Sequence, residues 1–114
     1  MMLIVMKEIL PKLPENEKYD LKDQLSRACK SFPRLIAEGY VKRHQKAGFQ
    51  KYLDDAMAEC NEMIVGLEQA KDLYSIKPTI TSMEELVDLY DKSARQLYKL
   101  SMAWTNFKNK NTKR

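Results

Sequence analysis

The sequence predicts an all-α protein, an antiparallel up-down four-helix bundle, on three observations. Apolar residues return at alternating steps of four and three over long stretches, which lines one face of a helix. Only three Gly and four Pro interrupt 114 residues. The chain also has one evident corner: an amphipathic helix runs up to Gly39, a short basic segment turns, and a long helix starts near Gly48 and runs back.

In the first element Leu3, Met6, Leu10 and Leu13 fall at helical steps, and Pro11 and Pro14 weaken its last turn and end it. It is short for a bundle helix. Pro14 to Tyr19 is a polar connector, after which Asp20 is placed to cap a second helix, with Asp23 adding negative charge to its first turn. The second seam is Leu21, Leu25, Ala28, Phe32, Leu35 and Gly39, with Cys29 and Ile36 beside it. Pro33 removes one backbone bond, but the pattern continues in phase to Tyr40, so a kink is expected rather than a stop. Gly39 fits either close packing or the approach to a C-cap.

The third helix has the most regular pattern: Phe49, Leu53, Ala56, Cys60, Met63, Leu67, Ala70 and Tyr74, widened by Met57 and Ile64. Ser75 to Ile80 form a loop. Ser82-Met83-Glu84-Glu85 reads as a capping box, with Thr81 and Glu84 as a competing frame, and opens a fourth helix. Its seam is Leu86, Tyr90, Ser93, Leu97, Leu100, Trp104 and Phe107. The bundle therefore spans residues 1–107, and 108–114 form a basic tail expected to be frayed or disordered. Each large side chain taken inside contributes about 1.5 to 3 kcal/mol, and no single helix is stable alone. Leu25, Phe32, Leu53, Cys60, Leu67, Leu97 and Trp104 are expected among the most buried.

Composition sets further bounds. Charged residues make up 32% and the hydrophobic set 44%, as in a soluble helical protein. The apolar start from Met1 to Met6 is too short to span a bilayer and has no small-residue cleavage site behind it, so a cytoplasmic protein with no membrane role is expected. Lys108, Lys110, Lys113 and Arg114 account for the whole net charge of +4. Within the rest the signs segregate. Arg27, Lys30, Arg34, Lys42, Arg43, Lys46 and Lys51 form a basic run, and Asp54, Asp55, Glu59, Glu62, Glu68 and Asp72 an acidic one.

Catalysis needs convergent groups, and the chain offers few. Its one histidine, His44, lies in a polar turn, the glycines are dispersed, and no Glu-x-x-His pair marks a carboxylate metal site. No catalytic residue, metal or cofactor is expected. Asp55, Glu59 and Glu62 share a helical face and read as a solvated stripe, a metal or acid-base site being the alternative. Cys29 and Cys60 sit on facing seams at similar distances from the corner; small buried hydrophobes are the plainer reading and a redox switch the other. Trp104 with Phe107 reads as end-packing or as a base-stacking platform.

Two features go beyond folding. Met83, Val87, Ala94, Tyr98 and Met102 form a second stripe on the fourth helix, which suits an oligomer interface or merely a broad core face. Arg27, Lys30, Arg34, Lys42, Arg43 and Lys46 form a basic stripe able to follow a phosphate backbone, unless the acidic face of the third helix neutralises it.

The stretch Phe32-Pro33-Arg34-Leu35-Ile36-Ala37-Glu38-Gly39-Tyr40-Val41-Lys42-Arg43, continued to Leu53, together with Ala56 to Glu62, resembles the bacterial four-helix bundle proteins encoded in intervening sequences of 23S ribosomal RNA genes. The resemblance runs from Ile9 to Tyr74 and includes Leu13-Pro14-Glu15-Asn16-Glu17-Lys18-Tyr19, where that family usually has a Phe-Pro and acidic connector. The same superfamily includes the accessory variability protein of diversity-generating retroelements, a pentameric nucleic-acid-binding bundle. The resemblance implies a non-enzymatic homo-oligomer, a pentamer, without an established molecular function, and a longer first helix than this chain shows. The resulting expectation is an oligomer that binds structured RNA or duplex DNA with little sequence preference through its basic stripe and tail. A protein-interaction scaffold with no nucleic-acid role is the alternative.

Overall fold

The computed structural model describes the backbone at residues 1–17, 20–44, 48–78 and 81–112, and side chains within those runs except at 17 and 107–112. All regular structure in these residues is helical, and four helices form the bundle. The N-terminal one changes pitch: an α turn α1 (Met2–Ile4), a π turn (Val5–Ile9) and a 3-10 turn (Leu10–Lys12). After a 3-10 turn at Glu15–Glu17 come α2 (Leu21–Val41), α3 (Gly48–Tyr74) and α4 (Met83–Thr112).

The pitch change alters which residues the N-terminal helix buries. Val5 and Ile9 are fully inside while Leu3 is 62% exposed, so the core-facing set is Val5, Ile9, Leu10 and Leu13 rather than one including Leu3. The physical reason is the π turn. The Leu10 N–H bonds to the Val5 carbonyl, one residue further back than in an α-helix, and the face rotates accordingly. Pro11 then closes the helix in a 3-10 turn, and Leu13, restricted by Pro14, is extended at ψ 144°.

Helices α2 and α3 run antiparallel and touch closely at two glycines. A Cβ on Gly39 would lie 2.8 Å from Tyr52 Cβ, and one on Gly66 would lie 2.5 Å from Leu25 Cδ2. Gly39 is therefore a close-packing residue; α2 continues past it to Val41. Pro33 stands on the exposed side of an unbroken α2. Asp20 precedes α2 as expected, yet its side chain makes no capping hydrogen bond; only its carbonyl accepts, from the Gln24 N–H at 2.9 Å.

Along α4 the capping box forms in the Ser82 frame. Ser82 Oγ accepts from the Glu85 N–H at 3.0 Å, and the Thr81 hydroxyl donates to the Glu85 carboxylate at 2.5 Å. The helix runs antiparallel to α3, as the Lys71–Glu84 ion pair at one end and the Phe49–Trp104 ring contact at the other establish. Its seam drifts from the expected register. Leu100 is 45% exposed and Ser101 is buried, because the turn of 3.6 residues carries the inner face to Ser101 after Leu97. Ser101 receives a hydrogen bond from Gln50. Trp104, expected deep inside, is half-buried and packs edge-on against Phe49.

Around Tyr90 the core joins α4 to α2 and α3. Tyr90 is 1% exposed, meets Phe32 edge-to-face at 5.9 Å, and lies beside both cysteines. The Cys60 thiol donates weakly to the Tyr90 carbonyl at 3.5 Å and Cys29 to the Ser26 carbonyl at 3.4 Å. Both thiols are free and buried. Among the described residues no helix is long and apolar enough to cross a membrane.

Candidate nucleic-acid interface

The basic stripe is built by α2 and the turn after it, and the structure divides it in two. In the N-terminal part Arg27 pairs with Asp23 at 3.2 Å and Arg34 with Glu38 at 3.8 Å, both one helical turn apart. The neighbouring face of α3 adds acids. Burial is the main cause that pushes Glu59 above the ordinary carboxylate range, Glu62 and Asp55 push the same way, and Arg27 and Arg34 pull against them. The Asp55, Glu59, Glu62 stripe thus lies within electrostatic reach of the upper cations and offsets part of their charge. Lys30 is exposed on the same helix.

The corner is arranged differently. Lys42 reaches back over the Tyr52 ring, 5.4 Å from its centroid, and donates to the Tyr52 hydroxyl at 3.1 Å. That hydrogen bond holds its ammonium above the usual lysine value. Arg43 lies over Tyr40 with its guanidinium carbon 4.0 Å from the ring centroid, and donates to the Tyr40 carbonyl at 2.8 Å. Each of these two cations lies over a tyrosine ring, and Glu38, the partner of Arg34, adds a weaker pull on Lys42. An aromatic ring fixes a cation without cancelling its charge. His44 is exposed next to them, and Lys46 lies outside the described residues.

The expected basic tail meets the same end of the molecule. Helix α4 does not stop at Phe107; its backbone is helical to Thr112, since no Gly or Pro intervenes to break it. Gln50, in the first turn of α3, contacts Ser101 and Thr105, so residues 106–112 run on about 10 Å past the level of Gln50, an overhang at the corner end, at 1.5 Å per residue. Lys108 and Lys110 are in that overhang; their side chains, and all of Lys113 and Arg114, lie outside the described residues. Charge is consequently sorted along the long axis. The corner half, residues 34–43, 48–55 and 95–112, has eight basic and three acidic residues, whereas the far half, residues 7–17, 20–27, 62–77 and 82–88, has six basic and eleven acidic.

The second stripe of α4 separates as well. Met83 is 3% exposed and belongs to the core, which removes it from a partner surface, whereas Val87 and Ala94 are half-buried and packed against that core. The apolar face of α4 is broad enough to bury Met83 fully and the other two in part. Tyr98 and Met102 are 58% and 45% exposed. Between α3 and α4 an open groove of about 360 Å³ is lined by Ile64, Met83 and Val87, by the acids Glu68, Glu84, Asp88 and Asp91, and by Lys71, which pairs with Glu84. Among the described residues no three His, Cys, Asp or Glu side chains group to hold a metal ion.

Sequence reasoning found the cations of the corner and missed the tyrosines beneath them. The signal was present: Tyr40 precedes Arg43 by three residues, the spacing at which helical side chains meet. Tyr52 comes from the facing helix, so its part needed the geometry of the turn.

Among protein families, the one described as 23S rRNA-intervening sequence protein matches residues 2–99. Neither the curated proteins nor the solved structures give a match.

Proposed function

The chain belongs to the 23S rRNA-intervening sequence protein family, and from that premise we propose a non-catalytic nucleic-acid-binding bundle that meets phosphate backbones with its corner end. The observation that supports this is the pairing of Lys42 and Arg43 with tyrosines while Arg27 and Arg34 pair with acids. Cations already held in place lose less side-chain freedom on binding, and cations outside a salt bridge have none to break. The overhang of α4 adds Lys108 and Lys110 at the same end. Binding of this kind is salt-sensitive and reads little sequence, since phosphate contacts carry none.

In this reading the subunit assembles into a homo-oligomer, with the exposed Tyr98 and Met102 in its interface and a pentamer as the expected number. Several corner ends then act on one polyanion, and avidity raises affinity by roughly a hundredfold or more.

The test is filter binding of RNA and DNA at low and moderate salt with two variants. One replaces Lys42, Arg43, Lys108 and Lys110 by Gln, the other Arg27, Lys30 and Arg34. The corner variant should lose most binding and the stripe variant little. A parent that does not bind below about 100 mM salt, where phosphate contacts are strong, or a corner variant that binds like the parent, rules the reading out. A protein-interaction scaffold then takes its place, and the acid-lined groove between α3 and α4 is the observation that favours it.

A further inference from the structure

Arg43 and Tyr40 do more than present a charge. Tyr40 is on the last turn of α2 and is 61% exposed, although a tyrosine ring so placed has apolar area to hide. Arg43 covers part of the ring and is itself oriented twice, by the ring at 4.0 Å and by the Tyr40 carbonyl at 2.8 Å. The result is a guanidinium seated on an aromatic ring, the ring on the last turn of α2 and Arg43, in the turn that follows, tied to it at two points. On the other flank of the turn Lys42 is fixed over Tyr52 by its own hydrogen bond to the hydroxyl. A ring covered by Arg43 and, one residue away from that arginine along the chain, a pinned ammonium supply the two parts that a nucleotide offers partners for: a base with a π face, and a phosphate.

A base inside a duplex keeps its faces against its neighbours and cannot use such a plane. An unpaired base can. We propose that the corner holds an unpaired nucleotide of a single strand, the base stacked on the Arg43 and Tyr40 layer and the adjoining phosphate on Lys42. This rests on the nucleic-acid reading above and narrows its ligand from any phosphate backbone to single-stranded segments, including the loops and ends of a folded RNA. Stacking is indifferent to base identity, so the site adds affinity without sequence preference.

The experiment compares three probes on the full chain at low salt: a fluorescently labelled oligouridine RNA, an oligodeoxythymidine of the same length, and an RNA duplex of the same length. The variants are Tyr40→Ala, Tyr40→Phe, and the pair Lys42→Gln with Arg43→Gln, each first checked for an unchanged thermal midpoint. The single strands should bind more tightly than the duplex. Tyr40→Ala should weaken single-strand binding about tenfold, within the range for losing one base stack, and duplex binding far less, since there only the ring's hold on Arg43 is lost, while Tyr40→Phe keeps the parent's affinity; an equal loss on duplex and single strands would reduce Tyr40 to orienting Arg43 and overturn the stack. Equal binding of the two single strands assigns the site to single strands of either sugar, and a preference for oligouridine assigns it to RNA; both support the stack. If Tyr40→Ala binds every probe like the parent while the charge variant loses binding, the stacking proposal falls and the basic corner stands. If the parent binds none of the probes, both fall.

Discussion

At the scale of single residues the chemistry of this protein is mostly inward. Burial pushes the Cys60 thiol up to about 12 and moves Cys29 and Tyr90 in the same direction, Lys30 partly opposing the shift at Cys29. A group that holds its proton more tightly folded than unfolded stabilises the fold below its unfolded pKa, and that contribution is lost as pH rises through the folded value. Urea midpoints should therefore fall from about pH 8.5, the ordinary pKa of a free thiol, towards pH 12. Cys60→Ala should lower the midpoint at neutral pH but flatten the alkaline decline; an equally steep decline would place the titration elsewhere. Quantitative labelling of the native protein should be slow at both thiols, and fast reaction at either would contradict their burial. The burial of the two cysteines was legible because Cys60 sits on the seam of α3 and Cys29 beside that of α2. Tyr90, which joins them, was legible only as a seam residue, since nothing in a linear pattern says which buried ring two thiols will share.

At the scale of elements, periodicity located every helix but not every inner face. The seam of α3 was read without error at Leu53, Cys60 and Leu67 because that helix is regular from Gly48 to Tyr74. The N-terminal helix and the end of α4 were misread for opposite reasons: one changes pitch at Val5, and the other keeps an ideal pitch while a strict heptad does not. Two substitutions separate these registers. Leu97→Ala should cost about 2 to 5 kcal/mol by opening a core cavity, whereas Leu100→Ala should stay within about 0.5 kcal/mol, as exposed positions do. Equal costs in chemical denaturation would restore the heptad seam. Gly39 gives a third test. Alanine has the better helix propensity by about 1 kcal/mol, yet its Cβ would stand 2.8 Å from Tyr52 Cβ, a carbon rooted in the α3 backbone that cannot swing aside. Gly39→Ala should accordingly destabilise by about 1 to 3 kcal/mol; a gain in stability would mean that α2 and α3 part without penalty.

At the scale of the whole molecule the bundle is a rod, 57 Å by 24 Å by 19 Å, and its exposed apolar side chains bear on assembly. Tyr98 and Met102 should be covered in a homo-oligomer, so light scattering at micromolar concentration should give a mass several times the 13.4 kDa of one chain. Tyr98→Lys with Met102→Lys should reduce it, and a parent that scatters as a monomer would leave those side chains without a role. The composition of the candidate interface was partly legible: the basic residues were, but not their meeting at one end, which depends on α4 overshooting the corner by several residues. With basic and acidic residues gathered at opposite ends, each subunit has a permanent electric moment along its axis. Near a polyanion such a rod feels a torque before it feels a contact, and turns its corner forward while still in solution. The first measurable trace of this would be kinetic: encounters become productive more often, and the association rate, rather than the lifetime of the complex, falls most steeply as salt is added.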